Sequence, residues 1–206
     1  EQERLFVPAG YVLFDAGESL EQTRLGFVYK APAGENGTIT ARNYYAWRDS
    51  GNLLPALAQG IVDLERKFVG GGFSYSYDGF WLDRPNRFVA GVDFDDQDDD
   101  RRRYQNTNGV PGALQFDQNE HVTSQGIFLQ NELSVSKRVQ LSFGVRFDQV
   151  EFEISDRYFA DGRDDSGSKQ FEDTSPMVGL VVELTPPETT DVLLVHAAPA
   201  RLDVVV

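Results

Sequence analysis

Residues 121–154, HVTSQGIFLQNELSVSKRVQLSFGVRFDQVEFEI, leave little freedom in what this chain can fold into. Ile127, Leu129, Leu133 and Val135 alternate with Gly126, Gln130, Glu132 and Ser134, the side-chain period of two that a β-strand imposes. Only Ser136-Lys137-Arg138 separates this arm from a second, in which Leu141, Phe143, Val145 and Phe147 alternate with Gln140, Ser142, Gly144, Arg146 and Asp148. The pattern predicts one long antiparallel hairpin with an apolar and a polar face. Such an apolar face is either the inside of a water-soluble sandwich or the lipid-facing outside of a membrane barrel.

Similar hairpins flank it. Leu25, Phe27, Tyr29 and Ala31 alternate with Arg24, Gly26, Val28 and Lys30; after the turn-forming stretch Pro32–Gly37, Ile39, Ala41, Tyr45 and Trp47 alternate with Thr38, Thr40, Arg42 and Tyr44. Residues 61–66 allow a helix, but Gly70-Gly71-Gly72 would break it and Phe73, Tyr75 and Tyr77 restore period two, so one extended strand is expected over 60–81. A turn at 82–86 leads to Phe88, Ala90, Val92 and Phe94, and a last alternating run covers Pro176, Val178, Leu180, Val182 and Leu184. In 1–20, Tyr11 and Leu13 suggest a short strand at 10–15, interrupted by Pro8 and Gly10.

The expected connections alternate in length: short at 31–37, 82–86, 136–138 and 185–189, long at 48–59, 96–120 and 155–173. A soluble meander has no reason to gather its long loops at one end, whereas membrane barrels have short turns on one side and long loops on the other. The fold class is therefore read as all-β, an antiparallel transmembrane β-barrel section of eight or nine long strands. Composition agrees with that class. No apolar run is long enough for a membrane helix, yet the mean hydropathy of -0.40 suits strands with one polar face. A formal charge of -14 opposes nucleic-acid binding, and the lack of cysteine removes disulfides, thiolate zinc sites and thiol catalysis.

Several blocks resemble the barrel of TonB-dependent outer-membrane receptors of the ferric-siderophore group. They are Gln22–Tyr29, Pro85-Asn86-Arg87 leading into Gly91-Val92-Asp93, Gln130-Asn131-Glu132-Leu133, Phe143–Asp148 (FGVRFD) and Ser175–Leu180 (SPMVGL), in order across residues 20–186. The resemblance implies a bacterial outer-membrane protein that takes up a ferric siderophore, with a plug domain inside the barrel through which the TonB complex supplies energy. It implies no cofactor and no enzymatic activity. A 22-stranded barrel needs well over twice this length, and no plug or TonB-box segment is visible. The expected organisation is a poorly defined lead-in over 1–20, a partial barrel over 21–186, and an aberrant or truncated strand over 187–206, where alternation fails and no terminal aromatic stands. The alternatives are a self-sufficient small outer-membrane barrel and a soluble antiparallel binding module.

Residue roles follow from the two faces. Phe88, Val92, Leu141, Phe143, Val145, Phe147, Leu180 and Val182 are expected against lipid, and Tyr45, Trp47, Phe80 and Trp81 at the membrane interfaces. Arg42, Tyr44, Gln130, Glu132, Arg146 and Asp148 are expected to line the lumen, pairing mainly with one another. Asp93–Asp100 invites a calcium reading but lacks the glycine and the terminal glutamate of an EF-hand loop; it reads as the top of a strand entering a loop. In the resembled family, Arg101, Arg102, Arg103 and Tyr104 would suit approach of an anionic ferric chelate, with loop ion pairs as the commoner role for such arginines. Neither His121 nor His196 has spaced ligand partners, and no G-x-S-x-G elbow supports hydrolase chemistry.

Overall fold

Period-two alternation carries through into one continuous antiparallel meander in the computed structural model, which describes residues 9–183, 192–197 and 203–204. A single helical turn, α1 (Ala9–Leu13), precedes β1 (Gly17–Pro32), β2 (Gly37–Leu53), β3 (Ile61–Trp81), β4 (Arg84–Thr107), β5 (Val110–Ser136), β6 (Val139–Asp156) and β7 (Gly167–Glu183). Each strand pairs with the next in sequence; two short segments, β8 (Val192–Ala197) and β9 (Asp203–Val204), pair with β7. The strand expected at 10–15 is instead α1, closed by Phe14 N–H to Gly10 C=O, and β1 already begins inside the expected lead-in. Of the expected aberrant segment, 187–191, 198–202 and 205–206 lie outside the described residues.

The largest departure from expectation is 96–120. This is no loop: β4 runs to Thr107, β5 starts at Val110, and Asn108-Gly109 closes a two-residue hairpin with φ of 53° and 84°. Asn-Gly is the residue pair that accepts positive φ at both central turn positions. Leu82-Asp83 makes the same kind of turn between β3 and β4, at φ of 50° and 58°. The two ends of the sheet still differ. At one end the connections are 33–36, 82–83 and 137–138; at the other they are 54–60, 108–109 and 157–166, carried outward on strands of up to 27 residues. Since ~9–11 residues cross a membrane, β4 and β5 project well past any bilayer.

No hydrophobic core forms between layers: among the described residues the buried apolar side chains are Ala46 and Ile61. A sheet normally buries its apolar face against a second layer; here that face is open. Val92, Val145, Phe147 and Leu180 are exposed, and Phe88, Leu141, Phe143 and Val182 are half-buried against their neighbours in the sheet. Register puts all eight on one face, in a band that ends where polarity begins: Trp47 before Asp49, Val69 before Lys67, Phe94 before Asp96, Ile127 before Gln125, Phe147 before Gln149 and Pro176 before Thr174.

That upper boundary crosses the strands obliquely. Carried along the register, the position of Trp47 on β2 corresponds to Ser168 on β7, whereas the boundary there is Pro176. The slip is roughly 1.6 residues per strand. At ~3.4 Å rise and ~4.8 Å strand spacing this is a slope of roughly 48°, close to the ~35–45° tilt of membrane barrel strands. The short-turn ends step the same way, the β3–β4 hairpin reaching beyond the β1–β2 hairpin. A flat apolar slab cutting tilted strands produces this staircase.

At the projecting end, Asn106 fastens three segments. Fully buried at 0% exposure, its Nδ2 donates to the carbonyls of Phe14 (2.8 Å) and Leu54 (3.1 Å), and its Oδ1 accepts from Gly109 N–H (2.7 Å). Its own N–H donates to Leu57 C=O at 2.9 Å. One amide side chain therefore holds α1 and the 54–60 connection onto the tip of the β4–β5 hairpin.

Candidate functional site

The polar face carries a charged row that crosses five strands. Its register positions are Arg42 (β2), Gly72 (β3), Asp93 (β4), Gly126 (β5) and Asp148 (β6), so glycines alternate with charges. Facing side chains on adjacent strands are ~4.5–5.5 Å apart; a missing side chain on the strand between lets longer ones meet over it. Arg42 Nη2 reaches Asp93 Oδ1 at 2.5 Å across Gly72, and Arg146 Nη1 reaches Asp93 Oδ2 at 2.8 Å across Gly126. Arg146 also holds Asp148, Nη2 to Oδ1 at 2.7 Å. A Cβ at Gly72 or Gly126 would fall on these same charged groups. Gly70 repeats the device one position higher, where Tyr44 hydroxyl donates to Asp95 across it.

Above this row, Arg66 forks onto Asp99, with Nε–Oδ1 at 2.7 Å and Nη2–Oδ2 at 2.6 Å; Asp99 is 1% exposed. Gln97 adds a bond to Asp99 Oδ2 at 3.2 Å, and Arg48 clasps Gln22 Oε1 at 2.7 Å. Below it, Gln130 and Gln140 both donate to Glu132, at 3.1 and 3.4 Å. A concavity of about 340 Å³ opens among Arg42, Asp93, Phe128, Gln130, Arg146 and Met177. The Arg146 guanidinium lies 5.7 Å from the Phe128 ring centroid, within cation–π range. Carboxylates and guanidiniums neutralise one another here, giving a rigid polar wall suited to a hydrophilic surface or solute.

Register assigns every residue singled out from the sequence. Arg42, Tyr44, Gln130, Glu132, Arg146 and Asp148 share the polar face, whereas Tyr45, Trp47 and Trp81 share the apolar face with the eight band residues. Phe80 corrects one expectation. It is 76% exposed on the polar face, because its neighbour Trp81 occupies the other side of the same strand. The Arg101–Tyr104 stretch is not a loop patch either. Arg101 pairs with Glu120 at 3.2 Å and Arg103 meets Gln59 at 3.1 Å on one face; Arg102 approaches Asp117 at 3.9 Å on the other, and Tyr104 pairs in register with Ile61 and Leu114.

The acidic run divides the same way. Asp93, Asp95 and Asp99 join the polar-face network, while Asp96, Asp98 and Asp100 point to the opposite side, beyond the apolar band. There Asp96 accepts from His121 Nε2 at 2.8 Å, which raises the histidine pKa. Arg157 binds Asp100 and holds its carboxyl below the usual range. Arg66, Asp93, Asp95 and Asp99 carry polar-face links that the alternation alone did not assign; the signals are the even parity of β3 continuing past its three glycines for Arg66 and the odd parity of β4 for the aspartates.

A family model described as TonB dependent receptor-like, β-barrel, matches residues 8–191. The chain belongs to the TonB-dependent receptor β-barrel family. Its fold is shared with the siderophore receptor PiuA from Acinetobacter baumannii (TM-score 0.68, 14% identity, 84% of this chain and 31% of that one). It is shared too with the ferric-catecholate import receptor Fiu from E. coli K12 in an open form (TM-score 0.64, 12% identity, 82% and 34%). The unliganded ferric citrate transporter FecA aligns at TM-score 0.64 and 15% identity, over 82% and 25%. The chain thus spans about a third or less of these structures. Its sheet is an antiparallel section of a transmembrane receptor barrel, a family of receptors rather than enzymes that resides in the bacterial outer membrane.

Proposed function

We propose that this chain is wall of an outer-membrane receptor that imports a ferric siderophore with energy from the TonB complex, delivered through a plug domain. The observation that carries the reading is a sheet with an open apolar band on one face and a neutralised Arg–Asp–Gly network on the other. In this reading Phe88, Val92, Leu141, Phe143, Val145, Phe147, Leu180 and Val182 meet outer-membrane lipid, with Tyr45, Trp47 and Trp81 at its borders. Arg42, Tyr44, Gln130, Glu132, Arg146 and Asp148 line the lumen. The short turns face the periplasm, and the projecting β4–β5 hairpin faces outward, where Arg101 and Arg103 stand on the lumen side of the approach. The shared fold with the siderophore receptor PiuA, the ferric-catecholate import receptor Fiu and the ferric citrate transporter FecA supports this substrate class.

The test is uptake of radiolabelled ferric complexes by iron-starved bacteria that lack their own siderophore receptors and express the receptor containing this chain. At least one catecholate, hydroxamate or citrate complex should accumulate in a TonB-dependent manner. Absence of uptake across such a panel, with the protein inserted in the outer membrane, contradicts the substrate class.

A further inference from the structure

The tip of the β4–β5 hairpin carries a side-chain amide that its own sequence makes labile. In Asn108-Gly109 the Gly109 backbone nitrogen can close a five-membered ring onto the Asn108 side-chain carbon, and glycine has no Cβ to shield that nitrogen. Asn108 is exposed, so water reaches it. Three features of the fold hold the nitrogen back. Its N–H donates to Asn106 Oδ1 at 2.7 Å, and Asn106 is fully buried. Positive φ at both turn residues, 53° and 84°, fixes the hairpin, and attack on the side chain requires the Asn108 backbone to rotate out of it. The Asp15 side chain lies against Gly109, where its charge opposes an anionic nitrogen.

We propose that Asn108 is a latent deamidation site guarded by Asn106, and that its conversion to isoaspartate unfastens the projecting tip. Hydroxide removes the Gly109 amide proton, and the nitrogen attacks Asn108 Cγ to close a cyclic imide. The Cγ–Nδ2 bond breaks, and the leaving nitrogen takes a proton from water and departs as ammonia, which restores the hydroxide. A further water opens the imide at either carbonyl, so the net change is amide plus water to acid plus ammonia. Opening at the backbone carbonyl gives isoaspartate, which routes the main chain through the side-chain methylene. A two-residue turn built on paired positive φ has no room for the extra backbone atom. Gly109 N–H then leaves Asn106 Oδ1, and the amide that also holds the Phe14 and Leu54 carbonyls loses its anchor. The chemistry needs water alone and is independent of what the barrel imports.

The experiment is peptide mapping by mass spectrometry of the receptor containing this chain, purified in detergent and aged at mildly alkaline pH, with fragmentation that separates aspartate from isoaspartate. Asn36-Gly37, at the opposite end of the sheet, is the internal reference: the hydrogen bonds there engage the Asn36 and Gly37 carbonyls rather than the Gly37 nitrogen. Asn108 should convert slowly in the parent and about tenfold faster in Asn106→Ala, the factor that one hydrogen bond contributes, while the Asn36 rate stays unchanged. Asp15→Asn should speed Asn108 by a smaller factor. In aged parent protein, hydrogen exchange over 54–60 should rise in the converted molecules and stay low in the unconverted ones. Equal Asn108 rates in the parent and Asn106→Ala, or acceleration of both Asn-Gly pairs together, overturn the guarding role. Unchanged exchange over 54–60 after conversion overturns the unfastening.

Discussion

The two faces of β2–β6 use the same backbone and reach opposite solutions to charge. On the polar face Arg42, Asp93, Arg146 and Asp148 are linked into one network, and glycines at 72 and 126 make the links possible across intervening strands. On the other face, charge is excluded from the apolar band and then appears beyond it with mostly one sign, as Asp96, Asp98, Glu151 and Glu153 around His121. The contrast shows that the strand period sets which face a residue meets, while height along the strand sets what that face touches. One strand therefore holds three environments: a linked polar network, an open apolar band and a charged rim.

The sharpest break in this contrast comes from moving a charge between faces. Val145→Arg places a guanidinium in the apolar band and should cost about 2–4 kcal/mol in urea unfolding from lipid vesicles. Gln130→Arg, on the polar face one strand away, should cost under about 0.5 kcal/mol. Equal costs would mean that the two faces meet the same medium. A smaller effect probes the glycine device. Gly126→Val would place a branched side chain on Arg146 and Asp148, and should destabilise by about 1–3 kcal/mol through overpacking and loss of the Asp93 link. Gly167→Val, with nothing within 4 Å of its Cβ, should be nearly silent in the same assay.

The smallest expected effect is the pH response of the outer charge cluster. His121 has a raised pKa, caused first by its hydrogen bond to Asp96 and reinforced by Asp98 and Glu153. A folded-state pKa above the ordinary ~6.5 means that the stabilisation is complete below that value and is lost as pH rises through the folded value. With the side chain 38% exposed, screening leaves well under about 1 kcal/mol. The parent should therefore lose slightly more unfolding stability than His121→Gln as pH rises from about 6 to 8. Identical pH profiles would show that the pair contributes nothing.

Much of the architecture was legible because an open apolar band and a face of linked polar groups impose opposite preferences on alternate residues. The hairpin at 121–154, the strand over 60–81 and the face of every residue in the FGVRFD block follow from that alternation. Legibility fails where both faces meet water. Beyond Asp96 polar residues suit either side, so the period vanishes although β4 and β5 continue, and only Asn108-Gly109 marked the true turn. Phe80 was misplaced for a related reason: beside Trp81 at a strand end, an aromatic pair carries no alternation. The three glycines at 70–72 were readable as helix breakers, but the service of Gly70 and Gly72 to Tyr44–Asp95 and Arg42–Asp93 depends on register with strands distant in sequence.

The central claim, that one sheet separates lipid from a polar lumen, is tested most directly by single-cysteine labelling, since the native chain has no cysteine. Spin labels would be placed in turn at Ala90, Val92, Val145 and Leu180, and at Ser74, Gln130, Ser142 and Ser175, in the receptor reconstituted into bilayers. The first set should be accessible to oxygen and shielded from a water-soluble nickel chelate, and the second set should be shielded from oxygen. Equal exposure of both sets to the nickel chelate, or alternation that does not follow the register, would contradict it.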